Sequence, residues 1–188
     1  MTQYSIDTRG GLPTEMQALL REYPRDAWPD HPNFAASIQN WMGAHQMFRK
    51  LAGIVRGDTE PYLDNDLDLP EFSCRQGLFV NLLIRNLHGH HGWEDREYFP
   101  ELSRADPRFD RGLEMLEGDH QELDQLLDRI TGTANRTIKL AQLEPRQVPG
   151  EAGQLLETTG KLQGFLERHL EDEEDLIVPI LLHHKLRG

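Results

Sequence analysis

Residues 108–140 read RFDRGLEMLEGDHQELDQLLDRITGTANRTIKL. Leu113, Leu116, Leu123, Leu127 and Ile130 return at steps of three, four and seven, the spacing of one face of an α-helix. The residues between them are polar or charged. The segment therefore reads as one long amphipathic helix, which starts just after Pro107 and closes at the link EPRQVPG, 144–150. One polar residue stands on its apolar stripe: His120 occupies the gap between Leu116 and Leu123.

Three more stretches carry the same period. A helix is predicted from about Asn33 to Val55, stopping at Gly57, with Ile38, Met42, His45, Phe48 and Ala52 on one face. A second is predicted from about Glu71 to Pro100, with Leu83 and Leu87 leading into His90 and Glu94. A fourth runs from about Glu151 to His183, where Leu155, Leu162, Leu166, Leu176 and Ile180 leave two gaps filled by His169 and Glu173. The links are short and rich in Pro, Gly and Asp, and no sustained alternation or Asn-Gly hairpin marks a strand. Four long amphipathic helices with short links predict an all-α fold, an up-down four-helix bundle over residues 33–188. Residues 1–32, punctuated by Pro13, Pro24, Pro29 and Pro32, read as an N-terminal extension with a short helix at about 13–22. A weak internal repeat supports the bundle. HQMFRKL (45–51) resembles HQELDQL (120–126), and HHGWEDREYFP (90–100) shares its H-x3-E and following Pro with HLEDEEDLIVP (169–179).

Each of the four stripes thus turns a histidine inward, and two add a carboxylate four residues later, one turn up on the same face. Buried carboxylates cost several kcal/mol unless they are compensated. No Lys or Arg stands at the same level of the stripes to neutralise Glu94 and Glu173. A cation between the helices solves the problem, and four imidazoles with two carboxylates suit iron, manganese or zinc. Six ligands are enough for two ions with coordination positions left open. His45, His90, Glu94, His120, His169 and Glu173 are the expected ligands. His91, about 100° round the helix from His90, reads as a surface residue, an outer hydrogen-bond donor or an extra ligand. Asp124, one turn after His120, reads equally as ligand or solvated edge residue. Glu171, Asp172, Glu174 and Asp175 read as a charged outer face, with Glu174 the exception that could take the place of Glu173 after a slight rotation of the helix.

Composition narrows the function classes. The 188 residues carry 32 acidic and 20 basic side chains, a net charge of -12. A nucleic-acid binder or a protein of anionic membrane surfaces needs a basic face instead. No apolar run approaches the roughly 20 residues of a membrane span. The single cysteine, Cys74, excludes an intramolecular disulfide. The N-terminus has no apolar segment of the signal-peptide kind, so a reducing cytoplasm is the expected location.

HHGWEDREYFPEL and HLEDEEDLIVPIL, with a lone histidine on each of the other two helices, resemble the hemerythrin-like (HHE cation-binding) domain over about residues 33–182. PRDAWPDHPNF (24–34) also resembles the entry segment of some bacterial members. The resemblance implies a non-haem di-iron centre. His45 would bind from the first helix, His90 and Glu94 from the second, His120 from the third, and His169 and Glu173 from the fourth, with Glu94 and Glu173 bridging. Two departures stand out. Oxygen-carrying hemerythrins have H-x3-H on the third helix, where this chain has His120 and Asp124. They also place the last carboxylate five residues after the fourth-helix His, where this chain has Glu173 at four and Glu174 at five. Fewer imidazoles and more carboxylate favour Fe(III) and disfavour simple reversible O₂ carriage. The expectation is a di-iron protein that binds or senses O₂, NO or peroxide, with peroxide disproportionation as its candidate turnover. The alternative is an iron-storage or metal-sensing module, with manganese or zinc as substitutes for iron.

Overall fold

The computed structural model describes residues 4–186, and among them every regular element is helical. In chain order, apart from short 3₁₀ turns at 14–16, 25–27, 107–109 and 145–147, these are α1 (Ala18–Glu22), α2 (Ala36–Leu63), α3 (Leu69–Trp93), a π-helical turn (Glu94–Tyr98), α4 (Phe99–Ala105), α5 (Asp110–Leu143) and α6 (Val148–His184). The fold is the all-α helical bundle that the four stripes require.

Local chemistry sets the ends. Asp68 accepts from the backbone N–H of Glu71 at 2.8 Å and so caps the start of α3, with Pro70 in the first turn, where no N–H is needed. α2 runs past Gly57, the predicted stop, and through Pro61 to Leu63. The reason is tertiary. Asp58 and Thr59 are buried, Asp58 accepts from Arg75 at 2.6 Å, and Tyr62 stacks on Phe72 with ring centroids 4.1 Å apart. α2 instead ends where Asn65 takes a left-handed φ of 63° and Asp66 N–H returns to the Pro61 carbonyl at 2.8 Å. Helical structure after α3 likewise passes Pro100 and ends at Ala105, because Pro100 falls in the opening turn of α4.

The chain divides into two compact units. The first comprises Met1–Gln46, His91–Gln121 and Phe165–Gly188, and the second Met47–His90 and Glu122–Gly164. In the second unit Phe72, Val148 and Ala152 form a core that Tyr62, Leu69 and Leu140 enclose. Gln76 is buried there and donates to the Val55 carbonyl and to Thr59 Oγ1, both at 3.1 Å. In the first unit the N-terminal extension joins the core instead of trailing away. Leu12, Met16, Leu19 and Trp28 pack in one cluster with Tyr98, Phe99, Leu102, Leu116 and residues 176–178 and 180–182 of α6.

Gly112 shows how closely α5 and α6 approach within this unit. A Cβ built there would meet the Leu176 tip at 2.7 and 3.0 Å, and Leu176 is buried. Gly112→Ala is therefore expected to destabilise by roughly 1 kcal/mol, overpacking of about 1–3 kcal/mol exceeding about 1 kcal/mol of helix propensity gained. Urea denaturation measures the difference, and a variant as stable as the wild type would contradict the close approach.

Candidate metal centre

Four helices and the π-helical turn supply the inward polar side chains of the first unit. His45 comes from α2, one turn after Trp41, whose ring lies 4.3 Å from the imidazole. His91 comes from the end of α3. Glu94 and Asp95 open the π turn, where the wider coil sends Glu94 into the core and leaves Asp95 at the rim. His120 comes from α5, and His169 and Glu173 from α6. His45, His91, Glu94, His120, His169 and Glu173 are all buried.

These residues form two adjoining sets. In the first, one ring nitrogen from each of His91, His120 and His169 lies within 4.8 Å of the others. In the second, ligand atoms of His45, Glu94 and Glu173 meet the same limit. The carboxylates face both sets. Glu173 Oε2 is 3.4 Å from His45 Nε2 and 3.9 Å from His169 Nε2, and Glu94 Oε2 is 3.9 Å from His120 Nε2. Nε2 of His120, Nε2 of His169 and both oxygens of Glu173 are buried and make no hydrogen bond.

The opposite nitrogens are tied down. Glu174 accepts from His45 Nδ1 at 3.0 Å, Asp95 from His120 Nδ1 at 2.7 Å, and Asp119 from His169 Nδ1 at 3.1 Å. A carboxylate at Nδ1 fixes the Nδ1–H tautomer and turns the Nε2 lone pair inward, the arrangement of metal-ligating histidines. Trp41 Nε1 donates to Glu94 Oε1 at 2.7 Å and orients that carboxylate in the same way.

The electrostatics agree with a cation site. Burial, followed by the charges of Glu94 and Glu174, pushes the Glu173 carboxyl well above the usual carboxylate range. Burial brings His169 down to about 4 despite its bond to Asp119, so its ring is neutral at pH 7. Burial alone would raise Asp119, but the hydrogen bonds from His169 and Arg9 bring it below its ordinary value. Imidazole nitrogens and carboxylate oxygens converge there in a buried space. A divalent or trivalent cation fits that donor set.

Four sequence candidates remain: Glu174, His90, Asp124 and His91. Glu174 bonds to His45 from outside, and Glu173 takes the inner position. His90 closes the α3 segment of the second unit, half-buried, with its ring 5.0 Å from Phe48. Asp124 is exposed in that unit and pairs with His88 at 3.1 Å. His91, left open by its sequence position, is a third inward imidazole beside His120, ring centroids 4.2 Å apart. The outer-face reading of the 171–175 acidic run needs correction at Asp172 and Glu174, which are buried. Arg9 donates to Asp172 at 2.6 Å and forks onto Asp119, and Arg25 donates to Glu174 at 2.7 Å and Asp175 at 2.8 Å. Asp119, Asp95, Trp41, Arg9 and Arg25 were not among the sequence candidates. Asp119 could have been suspected from its place beside His120. The two arginines sit outside any periodic segment and carry no such signal.

A family model described as the hemerythrin HHE cation binding domain matches residues 36–181. No curated protein and no solved structure matches the chain significantly. Among the described residues no helix is long and apolar enough to cross a membrane.

Proposed function

Because the chain belongs to the hemerythrin HHE cation-binding family, matched over residues 36–181, we propose that its buried His/Glu cluster is a non-haem di-iron centre that binds or senses O₂, NO or peroxide. The observation that carries this reading is the adjacency of two ligand sets with Glu94 and Glu173 facing both. Carboxylates so placed suit two cations better than one. His45, His120, His169, Glu94 and Glu173 are the proposed ligands in the first unit. His90, four residues before Glu94, keeps its proposed role from the H-x3-E motif, and His91 adds an imidazole to the His120 and His169 set.

Iron bound here would supply an open coordination position for a small oxidant. The chain's own residues decide what reaches it. Phe99 lies against His120, with ring centroids 5.6 Å apart, and Phe165 lies 6.0 Å from His169. Leu116 and Leu166, each within one turn of a proposed histidine ligand, are buried. Such walls admit small neutral molecules through transient gaps and exclude bulky organic substrates.

Stopped-flow mixing of the iron-loaded, reduced protein with O₂, NO and H₂O₂ tests the function. A rapid change of the visible spectrum with at least one of them is expected, and an oxygen electrode then shows whether peroxide is disproportionated. No spectral change with any of the three would reject this reading in favour of metal storage.

A further inference from the structure

Two arginines of the N-terminal extension each end on a carboxylate that is itself bonded to an inward imidazole. Arg9 forks onto Asp119, with Nη1 to Oδ1 at 3.0 Å and Nη2 to Oδ2, and Asp119 Oδ2 accepts from His169 Nδ1 at 3.1 Å. Arg25 Nη1 donates to Glu174 Oε2 at 2.7 Å, and Glu174 Oε1 accepts from His45 Nδ1 at 3.0 Å. His169 belongs to one ligand set and His45 to the other. The same segment is anchored independently of these arginines by Leu12, Met16, Leu19 and Trp28 in the core, and by Arg168, which donates to the Gly10 carbonyl at 3.1 Å.

We propose that the extension is a strap built over the metal centre, in which Arg9 acts through Asp119 on His169 and Arg25 acts through Glu174 on His45. Both arginines are positioning residues. The proposal rests on the metal-centre reading and deepens it.

The physical reason is geometric. A carboxylate that holds an imidazole Nδ1–H with one oxygen can still rotate about its own stem. A guanidinium on the remaining oxygen, or forked across both, fixes the plane of the carboxylate and with it the direction of the imidazole. Two imidazoles of the centre are held this way from the strap, one in each ligand set. His120 provides an internal contrast. Its acceptor, Asp95, lies on the π turn, is 39% exposed and takes no arginine from the strap. Changes in the strap should therefore reach His45 and His169 and pass His120 by.

The test uses the full chain and Co²⁺ as the probe, with Arg9→Gln, Arg9→Lys and Arg25→Gln as variants. Arg56→Gln, which removes an exposed ion pair with Glu60, is the control. Anaerobic titration followed by the visible Co²⁺ spectrum should show roughly 10–100-fold weaker binding in Arg9→Gln and Arg25→Gln, the range known for outer partners of metal ligands. The band shape should also change, Arg9→Lys should recover part of the loss, and Arg56→Gln should match the wild type. On the metal-free proteins, imidazole ¹⁵N spectra should report Nδ1–H for His45 and His169 in the wild type. Each strap variant should give mixed tautomers at its own histidine while His120 stays unchanged. Arg25 is partly exposed, so Arg25→Gln keeps the test open even if Arg9→Gln does not fold. Unchanged affinity, band shape and tautomers in the strap variants would overturn the strap. A wild type that takes up neither Co²⁺ nor iron would instead overturn the metal-centre reading, and the tautomer spectra would still decide the strap.

Discussion

Glu173→Ala is expected to lose most of its metal, while His31→Ala and His184→Ala keep a full complement. Glu173 lies 3.4 Å from His45 Nε2 and 3.9 Å from His169 Nε2, so its carboxylate faces both ligand sets at once. His31 and His184 lie outside the cluster. His31 packs edge-on against Tyr23, and His184 donates to Asp106 at 2.9 Å. The expected sign of the stability change depends on the metal. In the metal-free protein, Glu173 is a buried acid raised by burial and by its acidic neighbours Glu94 and Glu174, so removing it relieves repulsion and should leave the apo fold no less stable. With metal in excess the order reverses. A ligand at 1,000 times its dissociation constant stabilises the native state by about 4 kcal/mol, and the variant should forgo most of that gain. His90→Ala is expected to lose metal as well, without the relief of charge. Metal analysis and thermal melts with and without added iron check both signs. Equal metal content in Glu173→Ala and His184→Ala would refute the ligand assignment.

Arg9→Ala is expected to destabilise the metal-free protein by about 3–5 kcal/mol, the cost of stranding a buried charge. The side chains of Arg9, Asp119 and Asp172 are 6%, 5% and 0% exposed. Without the guanidinium, Asp119 keeps only His169, and Asp172 keeps only Arg168, at 2.6 Å. Arg25→Ala offers the comparison. Its side chain is 41% exposed, water can replace what it gives, and the expected loss is under about 1 kcal/mol. For a chain of this size the Arg9 variant should melt roughly 6–20 °C lower. Denaturant titration of both variants at pH 7 measures the contrast, and an Arg9→Ala loss no larger than that of Arg25→Ala would contradict the buried clamp.

The parts of this molecule that were legible beforehand are those written in helical period. The 3–4 spacing of α5 and α6 placed His120, His169 and Glu173 on inward faces, and the structure buries all three. The end of α2 was not legible, because packing of Asp58, Thr59 and Tyr62 overrides the local signal of Gly57. The π turn at Glu94–Tyr98 was not legible either, since no residue type demands it. His90 was the expected ligand and the role of His91 stayed open, because an apolar stripe is wide enough for neighbours about 100° apart, and both lie within reach of the line from Leu87 to Glu94. Least legible was the strap. Arg9 and Asp119 are 110 residues apart, and a long-range ion pair leaves no periodic trace. The acidic run at 171–175 looked like a solvated face because nothing local announces that Arg9 and Arg25 fold over it.

Metal analysis of protein purified anaerobically without chelator, joined to optical spectra before and after exposure of the reduced form to air, decides whether the cluster around Glu94 and Glu173 holds two iron ions, as we propose. About two iron ions per chain are expected, with visible absorption that develops on exposure to air. A fully helical protein that holds almost no metal, even after reconstitution with iron, would contradict the claim.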